Sequence, residues 1–253
     1  IETLRGHSSG ISSIFADEKY IYSGSWDNTI RIWNKKTFKE MATIRGHTKP
    51  VYSIFADENN IYSGSGDKTV KVWDKETLRE ISTLVHADDV RSVFVDEKYI
   101  YSGSGNNIVI WNKKTLRKIV TLQGHMESVW SVFADKKYIY SGSEDRTIKV
   151  WDKKTFKEIV TLKEHTKPVY SIFADKNNIY SGSGDGTIRI YPIVFTSDLL
   201  LFKRVVLHND AALWRFSDDV VFVDWDNVSL DDPKFIEALF KWGHENVSWI
   251  FEA

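Results

Sequence analysis

The chain has 253 residues, 14% of them aromatic and none of them cysteine, and its 34 basic and 35 acidic residues leave a formal charge of −1. That balance offers no broad positive field to a nucleic-acid backbone or an anionic membrane. No apolar run approaches the roughly 20 residues of a membrane-spanning helix, and the lack of cysteine removes disulfides, thiol nucleophiles and thiolate metal sites.

One segment recurs along the chain. Residues 17–33 read DEKYIYSGSWDNTIRIW, and the pattern returns as DENNIYSGSGDKTVKVW, DEKYIYSGSGNNIVIW, DKKYIYSGSEDRTIKVW and DKNNIYSGSGDGTIRIY, ending at Trp73, Trp111, Trp151 and Tyr191. A histidine precedes each copy (His7, His47, His86, His125 and His165) at intervals of 39 or 40 residues. A period of this length means an array of like units. It also argues against an enzyme, because a catalytic group is usually unique in its chain and everything conspicuous here comes five times.

The second repeat shows the elements most plainly. Val51, Ser53 and Phe55 alternate with Tyr52, Ile54 and Ala56, as in a strand partly buried on both faces. Asp57, Glu58, Asn59 and Asn60 form a polar hairpin turn. Residues 61–65 make a second strand closed by Gly66 and Asp67, residues 69–73 a third with Lys71 outward, and residues 78–84 a fourth after a turn at 74–77. Four short antiparallel strands make one blade, and blades packed side by side bury faces that a lone blade leaves wet. The third repeat loses a residue in its turn, leaving Asn106 and Asn107 where Asp stood, and it lacks Gly before His86. The fifth carries Tyr191 for Trp, followed by Pro192, which cannot donate to a ladder. Those two blades are expected to be less regular.

Gly46-His47, then SGSGD, then TVKVWD resembles the WD-repeat (WD40) β-propeller family, over about residues 1–191. The resemblance implies an all-β propeller of four-stranded antiparallel blades, five clear repeats plus a degenerate sixth. It implies that residues 1–4 form the outer strand of a blade otherwise built elsewhere. It also implies a structural network in place of a hydrolase triad: Asp67 accepts from His47, His47 meets Ser63 or Ser65, and that serine meets the indole N–H of Trp73. The same roles carry to His7, Asp27 and Trp33, and to His125, Asp145 and Trp151. The histidines lie on different blades without the paired spacing of a zinc site, so no metal and no cofactor are expected.

After Pro192 the pattern fades. Residues 206–219 align without a gap to residues 84–97, Trp225-Asp226-Asn227 echoes Trp26-Asp27-Asn28, and residues 234–244 echo residues 37–47. This divides the chain into blades at 1–193 and one or more degenerate blades at 194–253. A rival reading sees a strand at 220–224, a helix capped by Asp232-Pro233, and a second strand at 247–251. That β-α-β order resembles the opening of a PIN/NYN-type nuclease domain, with Asp224 and Asp226 as metal ligands. The chain starts and stops mid-pattern and reads as part of a longer product.

In the WD-repeat family, partners often bind the narrower end of the propeller. Two positions per repeat point there: the fifth residue after the histidine (Ser12, Tyr52, Arg91, Trp130, Tyr170) and the residue before the turn aspartate (Trp26, Gly66, Glu144, Gly184). They vary among otherwise similar repeats and include Trp, Tyr and Arg, the types that dominate interface energies. Against this, inner-strand aromatics also pack between blades. The lysines at 35, 36, 113, 114, 153 and 154 belong to the opposite end, beside acidic turns, as a solvated mixed-charge surface. The expected function is a non-catalytic scaffold binding a protein or peptide, in the cytoplasm. No small-molecule substrate, nucleic acid or membrane is expected as partner of the propeller. The alternative is a binding or regulatory arm of a truncated metal-dependent nuclease.

Overall fold

The computed structural model describes residues 1–193 and the backbone of four two-residue strands beyond them. The first blade consists of β1 (Ile11–Ala16), β2 (Tyr20–Ser25), β3 (Ile30–Asn34) and β4 (Glu40–Ile44), hydrogen-bonded in that order. The second is β5 (Val51–Ala56), β6 (Asn60–Ser65), β7 (Thr69–Asp74) and β8 (Glu80–Val85). The third is β9 (Val90–Val95), β10 (Tyr99–Ser104), β11 (Asn107–Asn112) and β12 (Lys118–Gln123). The fourth is β13 (Val129–Ala134), β14 (Tyr138–Ser143), β15 (Ile148–Asp152) and β16 (Glu158–Leu162). A fifth sheet holds β17 (Val169–Ala174), β18 (Asn178–Ser183) and β19 (Ile188–Pro192). All strand pairs in these five sheets for which a register is given are antiparallel, and the described residues contain no helix.

Chain contacts define two units: Ile1–Asp175 with Ile179–Ile190, and Lys176–Asn178 with Tyr191–Ala253. In the second, Phe195–Thr196 (β20) pairs antiparallel with Leu199–Leu200 (β21), and Arg204–Val205 (β22) pairs parallel with Phe222–Val223 (β23). The sixth blade, the helix at Asp232-Pro233 and the metal ligands Asp224 and Asp226 lie outside the described residues.

The core of the first unit lies between blades. One cluster joins Tyr22, Ile30 and Ile32 of the first blade to Val51, Ile54 and Ile61 of the second. The same clusters recur between blades two and three and between three and four. Each blade thus has a leading face, which covers the next blade, and a trailing face, which covers the one before. Glycine sets the approach: a Cβ on Gly24, Gly64, Gly103 or Gly142 would stand 2.7–2.9 Å from a methyl of Val51, Val90, Val129 or Val169 in the next blade. Only a residue without a side chain lets the blades meet there.

Two further devices join neighbours. Ser13, Ser53, Ser92 and Ser131 each accept the N–H of Ile54, Val93, Val132 or Ile172 in the next blade, at 2.9–3.1 Å. At the end carrying the β1–β2 type of turn, Lys75 pairs with Asp17, Lys113 with Asp57 and Lys153 with Asp96, at 2.6–2.7 Å. Lys113 and Lys153, like Lys75, are therefore half-buried between blades and not freely solvated, while Lys35, Lys36, Lys114 and Lys154 are exposed as expected.

Three expectations change. Residues 1–4 form no strand, and Ile1 is exposed. The fourth strand of the second blade starts at Glu80 and not at 78, because Leu78 takes a left-handed φ of 58° inside the turn. A bulky residue tolerates that conformation only with compensation, and Leu78 obtains it by packing on the core cluster shared with the first blade. The third blade, expected to be irregular, keeps all four strands.

Candidate functional site

The strands bury a polar network in each complete repeat. His47 follows Gly46 in the loop before β5, where its Nδ1 lies 2.7 Å from Asp67 and its Nε2 2.7 Å from the Ser63 hydroxyl. The Trp73 indole N–H donates to the same hydroxyl at 2.9 Å. One proton order satisfies all four groups: Trp73 donates to Ser63, Ser63 to His47 Nε2, and His47 Nδ1–H to Asp67. Ser65, the other serine on that strand face, bonds the Lys49 carbonyl and accepts the Asp67 N–H instead. The same geometry holds at His7, Asp27, Ser23 and Trp33, and at His125, Asp145, Ser141 and Trp151.

A fifth member escaped the sequence reading. Thr69 donates its hydroxyl to Asp67 at 2.6 Å, as Thr29, Thr147 and Thr187 do to their own aspartates. The spacing Asp-x-Thr was its visible signal. Burial opposes the Asp67 charge, but the bonds from Thr69 and His47 outweigh it and hold the carboxyl below its ordinary value. Burial also pushes His47 down, partly offset by Asp67. Ser63 is fully buried and already occupied by an indole donor, so it cannot meet a substrate as a nucleophile.

The third blade shows what the missing residue does. Its turn shrinks to a hairpin in which Ser104 pairs with Asn107, with Gly105 at a left-handed φ of 51°. Neither asparagine reaches the histidine. His86 keeps Ser102 at 2.7 Å through Nε2, while Nδ1 turns to the Leu84 carbonyl at 3.0 Å. Burial pushes His86 down to about 4. A cavity of about 260 Å3 remains beside it, lined by Asp88, Asn106, Val109, Lys118 and Thr121 among others. In the fifth repeat, His165 keeps both Asp185 at 2.8 Å and Ser181 at 2.7 Å despite the loss of Trp.

The candidate partner residues lie at the histidine end. The turn after the second strand hydrogen-bonds the loop before the first, as Trp26 N–H to Gly10, Gly66 to Pro50, Glu144 to Ser128 and Gly184 to Pro168. Ladder register slips at one place in each inner strand, between residues 11 and 13, 51 and 53, 129 and 131, and 169 and 171, with the matching irregularity at Arg91 in β9. Ser12, Tyr52, Arg91, Trp130 and Tyr170 are therefore bulge residues. A bulge frees its extra residue from the alternation of the strand and re-aims its side chain.

Four of these five make a continuous row with Trp26. Trp26 meets Tyr52 edge-on with centroids 6.2 Å apart. The Arg91 guanidinium lies 5.6 Å over the Tyr52 ring and 4.3 Å over that of Trp130. Trp130 meets Tyr170 edge-on at 5.2 Å. Trp26 and Tyr170 are exposed at the two ends, while the three between them are half-buried by one another. The packing between blades expected of inner-strand aromatics thus accounts for Tyr52 and Trp130, while Trp26 and Tyr170 stay exposed. Ser12 does not join the row: it donates to the carbonyls of Gly24 and Val51. Glu144 is exposed on the equivalent turn and makes no side-chain hydrogen bond or ion pair among the described residues.

Repeated antiparallel blades, packed face to face and built around a His-Ser pair that Asp and Trp complete in the first, second and fourth, define a β-propeller-type repeat protein. The family model for the WD domain, G-beta repeat, matches residues 1–34, 38–74, 78–112, 116–152 and 156–191. The chain belongs to the WD40 family, whose members generally serve as non-enzymatic scaffolds for protein interactions. No curated protein matches the chain.

Proposed function

We propose that the protein is a non-catalytic scaffold which binds a protein or peptide through the row Trp26–Tyr52–Arg91–Trp130–Tyr170. The observation that carries this reading is the row itself: four bulge residues and the turn residue Trp26, one from each of five successive blades and in contact from blade to blade, at positions that vary among otherwise similar repeats. Large flat side chains held by their neighbours lose little freedom on binding, and Trp, Tyr and Arg are enriched where interfaces are strongest. Glu144 adds a charge on the same end that can select a basic partner residue.

Trp26 provides the cleaner probe, because at 59% exposure its removal costs the fold little. Trp26→Ala should weaken capture of a partner recovered with the wild-type chain while leaving the melting temperature unchanged. Capture that survives both Trp26→Ala and Tyr170→Ala would move the interface elsewhere.

A further inference from the structure

The third blade differs from its neighbours by more than the residue its turn lacks. In blades one, two and four the outer strand carries a glutamate that accepts a threonine hydroxyl: Glu40 from Thr43, Glu80 from Thr83 and Glu158 from Thr161, at 2.5–2.6 Å. Each glutamate also pairs with a cation of the adjoining strand, Arg31, Lys71 or Lys149. Blade three keeps the register: Trp111 stands opposite Lys118 and Val109 opposite Thr121, as Trp73 stands opposite Glu80 and Lys71 opposite Thr83. It therefore has Lys118 where the glutamate was and Val109 where the cation was. The turn aspartate is gone as well. Asp67, Glu80 and Lys71 give this part of the second blade two carboxylates and one ammonium, and their counterparts in the third leave one ammonium alone.

The acids are lost, but their donors remain. Asp27, Asp67, Asp145 and Asp185 each accept the N–H of the residue that follows the histidine, from Ser8, Thr48, Met126 and Thr166. In the third repeat that N–H belongs to Ala87, and it finds no acceptor among the described residues. The Thr121 hydroxyl oxygen is buried and has no hydrogen-bond partner. Lys118 makes no ion pair among the described residues. Ala87, Lys118 and Thr121 line the same cavity of about 260 Å3 beside His86. A buried donor without an acceptor is unfavourable and rare in folded proteins. Asp88 is the opposing charge in the lining. Its carboxylate accepts the Asp89 N–H and lies against Gly105, on the hairpin side.

We propose that this cavity binds a small carboxylate, which seats among Ala87, Lys118 and Thr121 in place of the acids that the other blades carry in their own chain. A carboxylate is what the same donors hold in blades one, two and four, and hydrogen bonds from an ammonium to a carboxylate are among the stronger ones. Ala87, Asp88 and Lys118 are exposed, so the group enters from solution. It is either a free acid of a few carbons or the side chain of an aspartate or glutamate on a bound peptide. None of the five residues of the aromatic row lines the cavity, so the site stands or falls apart from that row.

Nuclear magnetic resonance of the full chain tests it, with sodium acetate and an end-blocked Gly-Glu-Gly peptide as probes and sodium chloride and the matching Gly-Gln-Gly peptide as controls. Acetate should shift the Ala87 amide and the His86 ring saturably. The rings of His7, His47, His125 and His165, whose aspartates are in place, should not follow. A glutamate peptide that binds as acetate does, or more tightly, assigns the site to a partner's side chain, and binding of acetate alone assigns it to a free acid. Lys118→Glu should abolish the shifts, because Thr121 then gains the acceptor that Thr83 has in Glu80. Asp88→Asn should lower the half-saturating concentration severalfold by removing the like charge. If Lys118→Glu disturbs the fold, as circular dichroism would reveal, a second variant serves: exchanging residues 105–107 for the sequence of residues 66–69 restores the turn aspartate and should block the site from within. The absence of saturable shifts with both probes would overturn the proposal, as would undiminished shifts in a folded Lys118→Glu or in the exchanged turn.

Discussion

The Lys113 ammonium lies 2.7 Å from the carboxylate of Asp57, one blade back along the chain. The same step joins Lys75 to Asp17 and Lys153 to Asp96, and the fifth repeat ends it with Ile193 in the lysine position. These pairs turn the hydrophobic stacking of blades into a registered one, because each ion is also fixed by its own turn: Asp57 accepts from Tyr62 and from the N–H groups of Asn59 and Asn60.

Removing one such pair should therefore cost little. Lys113→Met is expected to lower the unfolding free energy by less than about 1 kcal/mol, since partly exposed ion pairs rarely exceed that. Lys113→Met combined with Asp57→Asn in a double-mutant cycle, followed by urea unfolding, isolates the coupling. A coupling several times larger would show that the ion pairs, and not the apolar faces, hold the blades together.

The aspartate of the network should matter more. Asp67→Ala strips the partner from a buried histidine and frees the Thr69 hydroxyl and the Thr48 N–H, at about 1–3 kcal/mol. Asp185→Ala removes the same kinds of bond in the fifth repeat, where the Thr187 hydroxyl is exposed and water can replace them. The loss at Asp185 should be the smaller one, as read from urea midpoints. Equal losses would mean that burial does not set the strength of the network.

Acid should act through His86. Burial holds it at about 4 in the fold, against about 6.5 in the unfolded chain, with the Lys118 charge acting in the same direction and the Leu84 carbonyl opposing it. Between those values the unfolded chain binds the extra proton. The stability linked to this group is complete above about pH 6.5 and drains away as pH falls toward 4, by about 2 kcal/mol at pH 5. His86→Gln should flatten that part of a stability-versus-pH curve measured by urea unfolding. An unchanged slope would assign the acid loss to other groups.

Asp17 supplies a separate loss at lower pH. Burial works against its charge, but Lys75, Tyr22 and two backbone N–H groups hold it at about 2. Its folded value lies below the ordinary one, so its contribution is complete above about pH 3.8 and is lost as pH falls through 2. Lys75→Met should move that acid limb to higher pH, which a circular dichroism titration would detect.

The blades were legible in the sequence because strand alternation, turn chemistry and repetition all point the same way. The histidine, aspartate and tryptophan of the network were legible too, but not Thr69, nor the choice between Ser63 and Ser65. Those two residues share one face of β6, and only the packed geometry shows that Ser65 serves the turn. The start of β8 was misplaced because Leu78 is as apolar as a strand residue, yet it stands in a left-handed turn. The bulges left no trace, since VYSIF alternates as an unbroken strand would. The gap in the third repeat was visible, but not that the strands would absorb it as a shorter hairpin and pass the defect to His86.

The bulges have a consequence for how such a chain can change. A residue outside the ladder can be exchanged without touching the pairing of its strand, so Ser12, Tyr52, Arg91, Trp130 and Tyr170 behave as interchangeable letters on a constant frame. Duplication or exchange of whole repeats would then write new surface words in single genetic steps, with no renegotiation of the framework beneath.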